Sequence, residues 1–129
     1  MQKEILLLFR PSSHVSNALR EVLEFEDYKV HQSDDPIELI KTIRDVGKLP
    51  YSLIIMEIKM AKLDGVDMLE RLVKYQVKIP IILMSGHISQ KDGIEFEQMG
   101  AFKYIAYPPD VYEFLDVVKK AVSLDHLEV

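Results

Sequence analysis

Cysteine is absent from this chain of 129 residues. Its absence excludes disulfides, thiolate metal sites and cysteine nucleophiles, and a reducing compartment is the natural expectation. Long hydrophobic runs are lacking as well. The apolar stretch from Ile5 to Phe9 is shorter than the core of a signal peptide, about 7–15 residues, or a membrane span of about 20 residues. We therefore expect a soluble, cytoplasmic protein.

Excess positive charge is also lacking. The chain has 16 Lys and Arg against 21 Asp and Glu, a net charge of -5. Because nucleic-acid binding needs clustered basic residues that neutralise phosphates, we expect no direct contact with nucleic acid by this domain. What the sequence does have is 48% hydrophobic and 29% charged residues, which fits one globular domain with its own core.

Five apolar runs rich in β-forming residues alternate with segments of helical periodicity. The runs are EILLLF from Glu4, YKVHQ from Tyr28, SLIIM from Ser52, IPIILM from Ile79 and KYIAY from Lys103. The first, third and fourth are apolar at nearly every position, which is typical of strands covered by helices on both faces. The pattern predicts an α/β fold, (βα)5, with a doubly wound five-stranded parallel sheet. Ligand chemistry in such folds lies at the carboxyl ends of the strands.

Capping residues mark the second helix. Asp35 is predicted to be its N-cap and Pro36 its first residue, while Gly47 is predicted to end it. We expect the domain to cover residues 1–122. Residues 123–129 are expected to form either a tail or the start of a linker to an output domain.

Three stretches at the strand ends carry a family resemblance. They are SLIIMEIKMAKLDG from Ser52, IPIILMSGH from Ile79 and GAFKYIAYPPD from Gly100. With these stretches in this order, the chain resembles the receiver domain of bacterial two-component response regulators, the CheY-like fold, over essentially its whole length. The resemblance implies the strand order 2-1-3-4-5 and a role in signal transduction. No nucleophile–base pair in the sequence suggests an enzyme.

The resemblance also shows that the family's reactive residues are replaced here. The family's phosphorylated Asp corresponds to Glu57, its two acids that help hold Mg²⁺ correspond to Phe9 and Arg10, and its phosphate-contacting Lys corresponds to Tyr107. Mg²⁺ requires octahedral oxygen ligands and is commonly held by carboxylates, and the longer side chain of Glu displaces the acceptor oxygens. We therefore expect no Mg²⁺ cofactor, no other metal and no ordinary phosphorylation.

The switch positions of the family are kept. Ser85 and Tyr104 match them, and the resemblance implies a cis peptide bond before Pro108, which follows Tyr107. The sequence leaves open whether Tyr104 is a core residue or an exposed contact for partners. An aromatic residue at an interface supplies a large contact area at low entropic cost.

Arg10 and Glu57 are expected to meet, because the resemblance makes the first and third strands neighbours. The guanidinium would then stand where the family holds its metal and would pair with the carboxylate. In this hypothesis the domain is held in one state, and Arg10→Ala destabilises the fold by about 1–3 kcal/mol. A second interpretation of Glu57, as a permanent mimic of the phosphorylated acid, lacks the Lys that would recognise it.

The function predicted from these residues is that of an atypical receiver domain acting by phosphorylation-independent protein–protein interaction. The expected surface comprises the fourth helix, fifth strand and fifth helix. Its contributing residues are Lys103, Tyr104, Tyr112, Asp116 and Lys119. The expected partner is another protein or the chain's own output domain, and the same surface is a candidate for homodimerisation. No membrane contact is expected.

Two other functions remain open at this point. The first is an unorthodox phosphoacceptor in a phosphorelay, with Glu57 or a nearby Ser modified. The second is a small-ligand or metal sensor whose pocket would combine Arg10, His14, Glu57 and His87. The histidines have no spacing typical of a metal motif, so solvated loop positions are the simpler interpretation.

Overall fold

In a computed structural model of the protein, the structure describes residues 2–11, 13–59, 64–86 and 90–124. Five strands alternate with five helices in the order β1 (Glu4–Leu8), α1 (His14–Phe25), β2 (Lys29–Ser33), α2 (Pro36–Val46), β3 (Leu53–Glu57), α3 (Gly65–Lys74), β4 (Ile81–Ser85), α4 (Gln90–Gln98), β5 (Lys103–Ala106) and α5 (Val111–Leu124). Neighbouring strands are all parallel, in the order β2-β1-β3-β4-β5. The predicted (βα)5 fold and its strand order are confirmed.

The sheet lies between two hydrophobic layers. On one face α2 and α3 pack through residues such as Ile43 and Leu72, and on the other α1 and α5 pack through residues such as Leu23 and Phe114. All residues of β3 and β4 are buried, and β1 is buried after its first residue. This explains why these three strands are continuously apolar, since both of their faces are covered.

The caps of α2 lie where the sequence predicts them. The Asp35 carboxylate accepts hydrogen bonds from the amides of Ile37 and Glu38, both 3.1 Å long. Gly47 ends the helix with φ 78°, a left-handed conformation that favours glycine. Local sequence therefore determines both ends of this helix.

The last helix runs further than the predicted domain. It ends at Leu124, so the expected boundary at residue 122 falls within α5, and residues 125–129 of the expected tail lie outside the described residues. In the part of the chain that the structure describes, no helix has both the length and the apolar character needed to cross a bilayer.

Gly65 fixes the backbone that carries Glu57. Its amide donates a hydrogen bond of 2.6 Å to the Ile58 carbonyl. A β carbon at position 65 would lie 2.7 Å from the Glu57 carbonyl oxygen and 2.9 Å from the Ile58 Cα. Only glycine fits this contact, so α3 begins directly against the end of β3.

Candidate functional site

The polar residues at the strand ends meet around one cavity at the carboxyl edge of the sheet. Its volume is about 300 Å³, and its lining residues are Arg10, Glu57, Lys59, Ser85, Gly86 and Tyr107. These residues come from the ends of β1, β3, β4 and β5. This is the edge at which doubly wound parallel sheets place their binding sites.

Arg10 and Glu57 form the pair expected from the sequence. The Arg10 Nε donates to Glu57 Oε1 over 2.8 Å, and the Arg10 backbone amide donates to the same oxygen over 2.9 Å. The parallel pairing of β1 with β3, in which Leu8 is opposite Met56, brings the two residues together. The strand register thus positions a cation beside the carboxylate.

The two partners of this pair differ in exposure. Only 3% of Glu57 is exposed, whereas the side chain of Arg10 is 59% exposed. The hydrogen bond to Glu57, and then its charge, raise the pKa of Arg10 above its ordinary value, so the guanidinium stays charged. Because a buried carboxylate must be paired, the contribution of Arg10 lies mainly in satisfying Glu57.

Tyr107 completes the surroundings of Glu57. Its hydroxyl donates to Glu57 Oε2 over 3.5 Å, at the long limit of a hydrogen bond. Burial, and then the nearby charge of Glu57, raise the pKa of Tyr107 well above its usual range, so the phenol keeps its proton. One donor therefore faces Oε2 while two face Oε1, and the carboxylate links the ends of β1, β3 and β5.

The sequence did not predict the contact between Tyr107 and Glu57, because Tyr107 was interpreted only as the replacement of a family Lys. β4 lies between β3 and β5, and its end carries Gly86. A β carbon at Gly86 would come within 3.5 Å of Tyr107 Cδ2. Gly86, a glycine at the end of the strand beside Tyr107, was the sequence feature from which this contact could have been predicted.

Tyr104 is half-buried between α4 and the end of β4. Its hydroxyl donates to the backbone carbonyl of Ser85 over 3.3 Å, and its ring lies 6.1 Å from that of Phe96. Tyr104 is therefore neither fully buried nor fully exposed, and its ring packs inside the domain at the edge of the sheet.

The peptide bond between Tyr107 and Pro108 is cis, as the resemblance implied.

Phe9 and His14 take no part in this cavity. Phe9 is 2% exposed and packs in the layer formed with α1 and α5. His14 is exposed and does not line the cavity, and His87 lies outside the described residues. Among the described residues, no group of three or more His, Cys, Asp or Glu could hold a metal ion.

The expected interaction surface is mostly exposed. Tyr112 is 86% exposed, and Lys103, Asp116 and Lys119 are exposed as well. Tyr104, the fifth residue predicted for this surface, is half-buried as described above. A groove of about 290 Å³ runs between β5 and α5 and is lined in part by Lys103 and Tyr104.

The fold is a flavodoxin-like α/β fold with its polar cavity at the carboxyl edge of the sheet. The family model described as "Response regulator receiver domain" matches residues 11–119. The chain belongs to this family, which makes it a receiver domain of two-component signal transduction. Such domains are generally non-enzymatic signalling modules.

Curated proteins and solved structures resemble the chain along most of its length. It is 29% identical over 124 residues to the "Probable transcriptional regulator ycf29" of Porphyra purpurea, which covers 95% of this chain and 58% of that protein. It is 27% identical to "Sporulation initiation phosphotransferase F" of Bacillus subtilis, over 96% of this chain and 98% of that protein. The chain therefore spans little more than half the length of the Porphyra purpurea protein.

Solved structures show the same fold. A response regulator receiver domain protein from Clostridium thermocellum superimposes with a TM-score of 0.83 at 21% identity. The match covers 98% of this chain and 99% of that structure. At this identity the likeness establishes the fold, and the roles of the site residues must be argued from their own contacts.

Proposed function

We propose that this receiver domain signals by phosphorylation-independent binding to a protein, with Glu57 as a structural residue. The observation that carries the proposal is that Arg10 and Tyr107 occupy the surroundings of the Glu57 carboxylate. Two donors face one oxygen and one faces the other. A carboxylate that accepts hydrogen bonds on both oxygens is a weaker nucleophile for a phosphoryl group, because these bonds withdraw electron density from its lone pairs.

The residues around Glu57 do not fit the Mg²⁺ that the family implies. The two positions of the acidic pair hold Phe9, which is buried among apolar residues, and Arg10, whose guanidinium is already beside the carboxylate. Mg²⁺ needs near-ideal octahedral oxygen coordination, and a cation would repel it. The proposal therefore includes no metal cofactor.

The proposed binding surface is the face made by α4, β5 and α5. Exposed Tyr112 and the half-buried Tyr104 provide the aromatic contact area that is enriched at interfaces, and Lys103, Asp116 and Lys119 provide a polar rim. The partner is another cytoplasmic protein or an output domain joined after α5. Two relatives that exceed this chain in length are named as transcriptional regulators, which favours an output of that kind.

Ligand binding at the Glu57 cavity, followed by NMR, tests the proposal. Mg²⁺ and then beryllofluoride, a phosphate-like probe, are added to the isotope-labelled protein while the NMR signals of Glu57, Ser85 and Tyr104 are followed. We expect none of the three to shift. Shifts that spread from Glu57 to Tyr104 would show a working phosphate switch and would contradict the proposal.

A mass measurement addresses the alternative of an unorthodox phosphoacceptor. After incubation with Mg²⁺ and a small acyl phosphate, we expect no added mass, whereas phosphorylation would add about 80 Da. The matched control is a variant in which Arg10→Asp, Glu57→Asp and Tyr107→Lys restore three of the family's residues. It is expected to gain about 80 Da under the same conditions, which verifies that the assay detects a functional phosphoacceptor.

A further inference from the structure

A groove lies at the pole of the domain opposite the Glu57 cavity, between the carboxyl ends of α2 and α3. Its volume is about 420 Å³. The walls are mainly apolar and include Ile43, Leu49, Val77 and Ile79, with Tyr75 at the edge, and the basic side chains at its rim are Arg44, Lys48 and Lys78. We call this the basic groove.

The charge around the basic groove contrasts with that of the whole chain. Residues 41–49 and 71–79 contain six Lys and Arg but a single acid, Asp45, in a chain whose net charge is -5. The Arg44–Asp45 contact is 3.3 Å long, and both side chains are at least 60% exposed, so this pair is weak. The groove therefore presents a positive rim around an apolar floor.

A complementary feature lies at the end of α1. Phe25 is 89% exposed, the most exposed large hydrophobic side chain described. It is surrounded in sequence by Glu21, Glu24, Glu26 and Asp27, all exposed. Glu24 pairs with Arg20 over 2.9 Å, but both side chains are about half exposed, which makes that pair weak too. We call Phe25 with these four acids the acidic ridge.

The two features lie at the same pole of the molecule. Each helix runs antiparallel to the strand before it, because it connects that strand to the next parallel strand along the chain. The ends of α1, α2 and α3 therefore lie at the amino edge of the sheet. When a patch and its complement share one pole, a twofold axis at that pole brings each patch of one copy to the complement on the other.

We propose that two copies of this chain dimerise pole to pole, with Phe25 of each copy seated in the basic groove of the other. The phenyl ring fills the apolar floor, and the four acids of the ridge face Arg44, Lys48 and Lys78 on the rim. The occupant is a second copy because one chain carries both halves of the match in size, polarity and charge. This contact is separate from the α4, β5 and α5 face and does not depend on the state of Glu57.

Sedimentation equilibrium over a range of protein concentrations tests this proposal. The average mass of the natural protein is expected to rise from the 14.9 kDa of one chain towards twice that value. Phe25→Ala should weaken the dimer by about tenfold or more, since a buried aromatic anchor dominates an interface of this kind. The matched control is Ile37→Ala, which removes an exposed hydrophobic side chain at the start of α2, at the opposite pole of the domain, and should leave the dimer intact.

Charge exchange tests the pairing of ridge and groove directly. One variant carries Glu24→Lys and Glu26→Lys, and a second carries Lys48→Glu and Lys78→Glu. Each alone opposes like charges in its own dimer and should be monomeric, whereas a mixture restores both contacts and should form a heterodimer. All four positions are exposed, so the fold is retained, and circular dichroism verifies this.

Several results would overturn the proposal. These are a monomer at every concentration, a dimer that Phe25→Ala leaves intact, loss of the dimer in Ile37→Ala, or a charge-exchanged mixture that stays monomeric. Binding of Phe25 or of the groove only to a different acidic protein or to nucleic acid, with no self-association, would overturn it as well. Each of these outcomes is independent of the Mg²⁺ and beryllofluoride experiment.

Discussion

The ring of Tyr104 packs so closely against Gly93 that a β carbon at position 93 would lie 2.6 Å from its Cδ2. Any side chain at that position must push the ring away from the end of β4. Gly93→Ala is therefore expected to break the hydrogen bond from the Tyr104 hydroxyl to the Ser85 carbonyl. Changed NMR signals of the Tyr104 ring would report this movement.

The control for that prediction uses a second background. In Tyr104→Ala the obstructing ring is gone, so Gly93→Ala should stabilise the protein by about 0.5–1 kcal/mol, because Ala suits a helix interior better than Gly. In the natural background the same change should be neutral or destabilising. Equal effects on the free energy of unfolding in both backgrounds would show that the two residues are not in contact.

Removal of the Arg10 side chain should destabilise the fold. Arg10→Ala takes one donor from buried Glu57 but leaves the backbone amide in place. The expected loss in the free energy of unfolding is about 1–2 kcal/mol, in the lower part of the range for a buried acceptor left without a partner. The exposed position of the guanidinium limits the electrostatic part. Chemical denaturation measures the free energy of unfolding.

Arg20→Ala is the matched control for Arg10→Ala. Arg20 makes an ion pair of 2.9 Å with Glu24 on the surface of α1, with both partners about half exposed. Its loss should cost no more than about 0.5 kcal/mol. If both substitutions have the same small effect, the Arg10–Glu57 pair is no more than a surface contact.

Tyr107 should make stability fall at high pH. Its pKa is raised in the folded state, first by burial and then by Glu57, whereas the unfolded chain ionises near the usual value of about 10. As the pH rises, the Tyr107 phenol therefore loses its proton in the unfolded state before it does so in the folded state. The stabilisation that Tyr107 contributes is fully present below a pH of about 10 and is lost progressively above it. Tyr107→Phe should give a shallower decline in unfolding free energy from pH 9 upward, to about pH 11.

The decline in unfolding free energy that remains in Tyr107→Phe serves as an internal control. Burial also raises the pKa of Tyr28 and of Tyr51, so part of the decline should persist in Tyr107→Phe. Tyr51→Phe should remove a different part of the slope without affecting Glu57. A decline that is identical in the natural protein and in Tyr107→Phe would contradict the environment assigned to this phenol.

Gly65→Ala should be strongly destabilising, because the added methyl group meets backbone atoms of Glu57 and Ile58 at 2.7 and 2.9 Å. Overpacking of this kind costs about 1–3 kcal/mol, and the backbone has no side-chain freedom with which to relax. The melting temperature reports the loss. Gly86→Ala is the control, since its methyl group would meet only the Tyr107 ring, at 3.5 Å, and should be tolerated far better.

The fold was predictable because its signals are local and repeated. Continuous apolar runs identified β1, β3 and β4 as covered strands, and Asp35 and Gly47 marked the ends of α2. The apolar run that predicts β4 starts at Ile79, two residues before the strand itself. The strand begins at Ile81, directly after Pro80, which has no amide hydrogen to donate to the sheet.

The site was predictable only in part. Opposite charges on adjacent strand ends were enough to pair Arg10 with Glu57. The contact between Tyr107 and Glu57 depends on a side chain reaching across the end of an intervening strand, and the sequence indicates it only through Gly86, which leaves the end of that strand without a side chain. The second donor from Arg10, its backbone amide, likewise follows from the local path of the chain after β1.

The guanidinium of Arg10 belongs to the same covalent chain as the carboxylate that it neutralises. A chelator cannot remove this guanidinium from the site, and a phosphatase cannot undo its pairing with Glu57. Its local concentration beside Glu57 is the same in every molecule from the moment of folding. If the domain signals without phosphorylation, as proposed above, it carries no record of a recent stimulus. The cell would then adjust its output by how many copies it synthesises and degrades, so gene expression and protein turnover become the relevant variables.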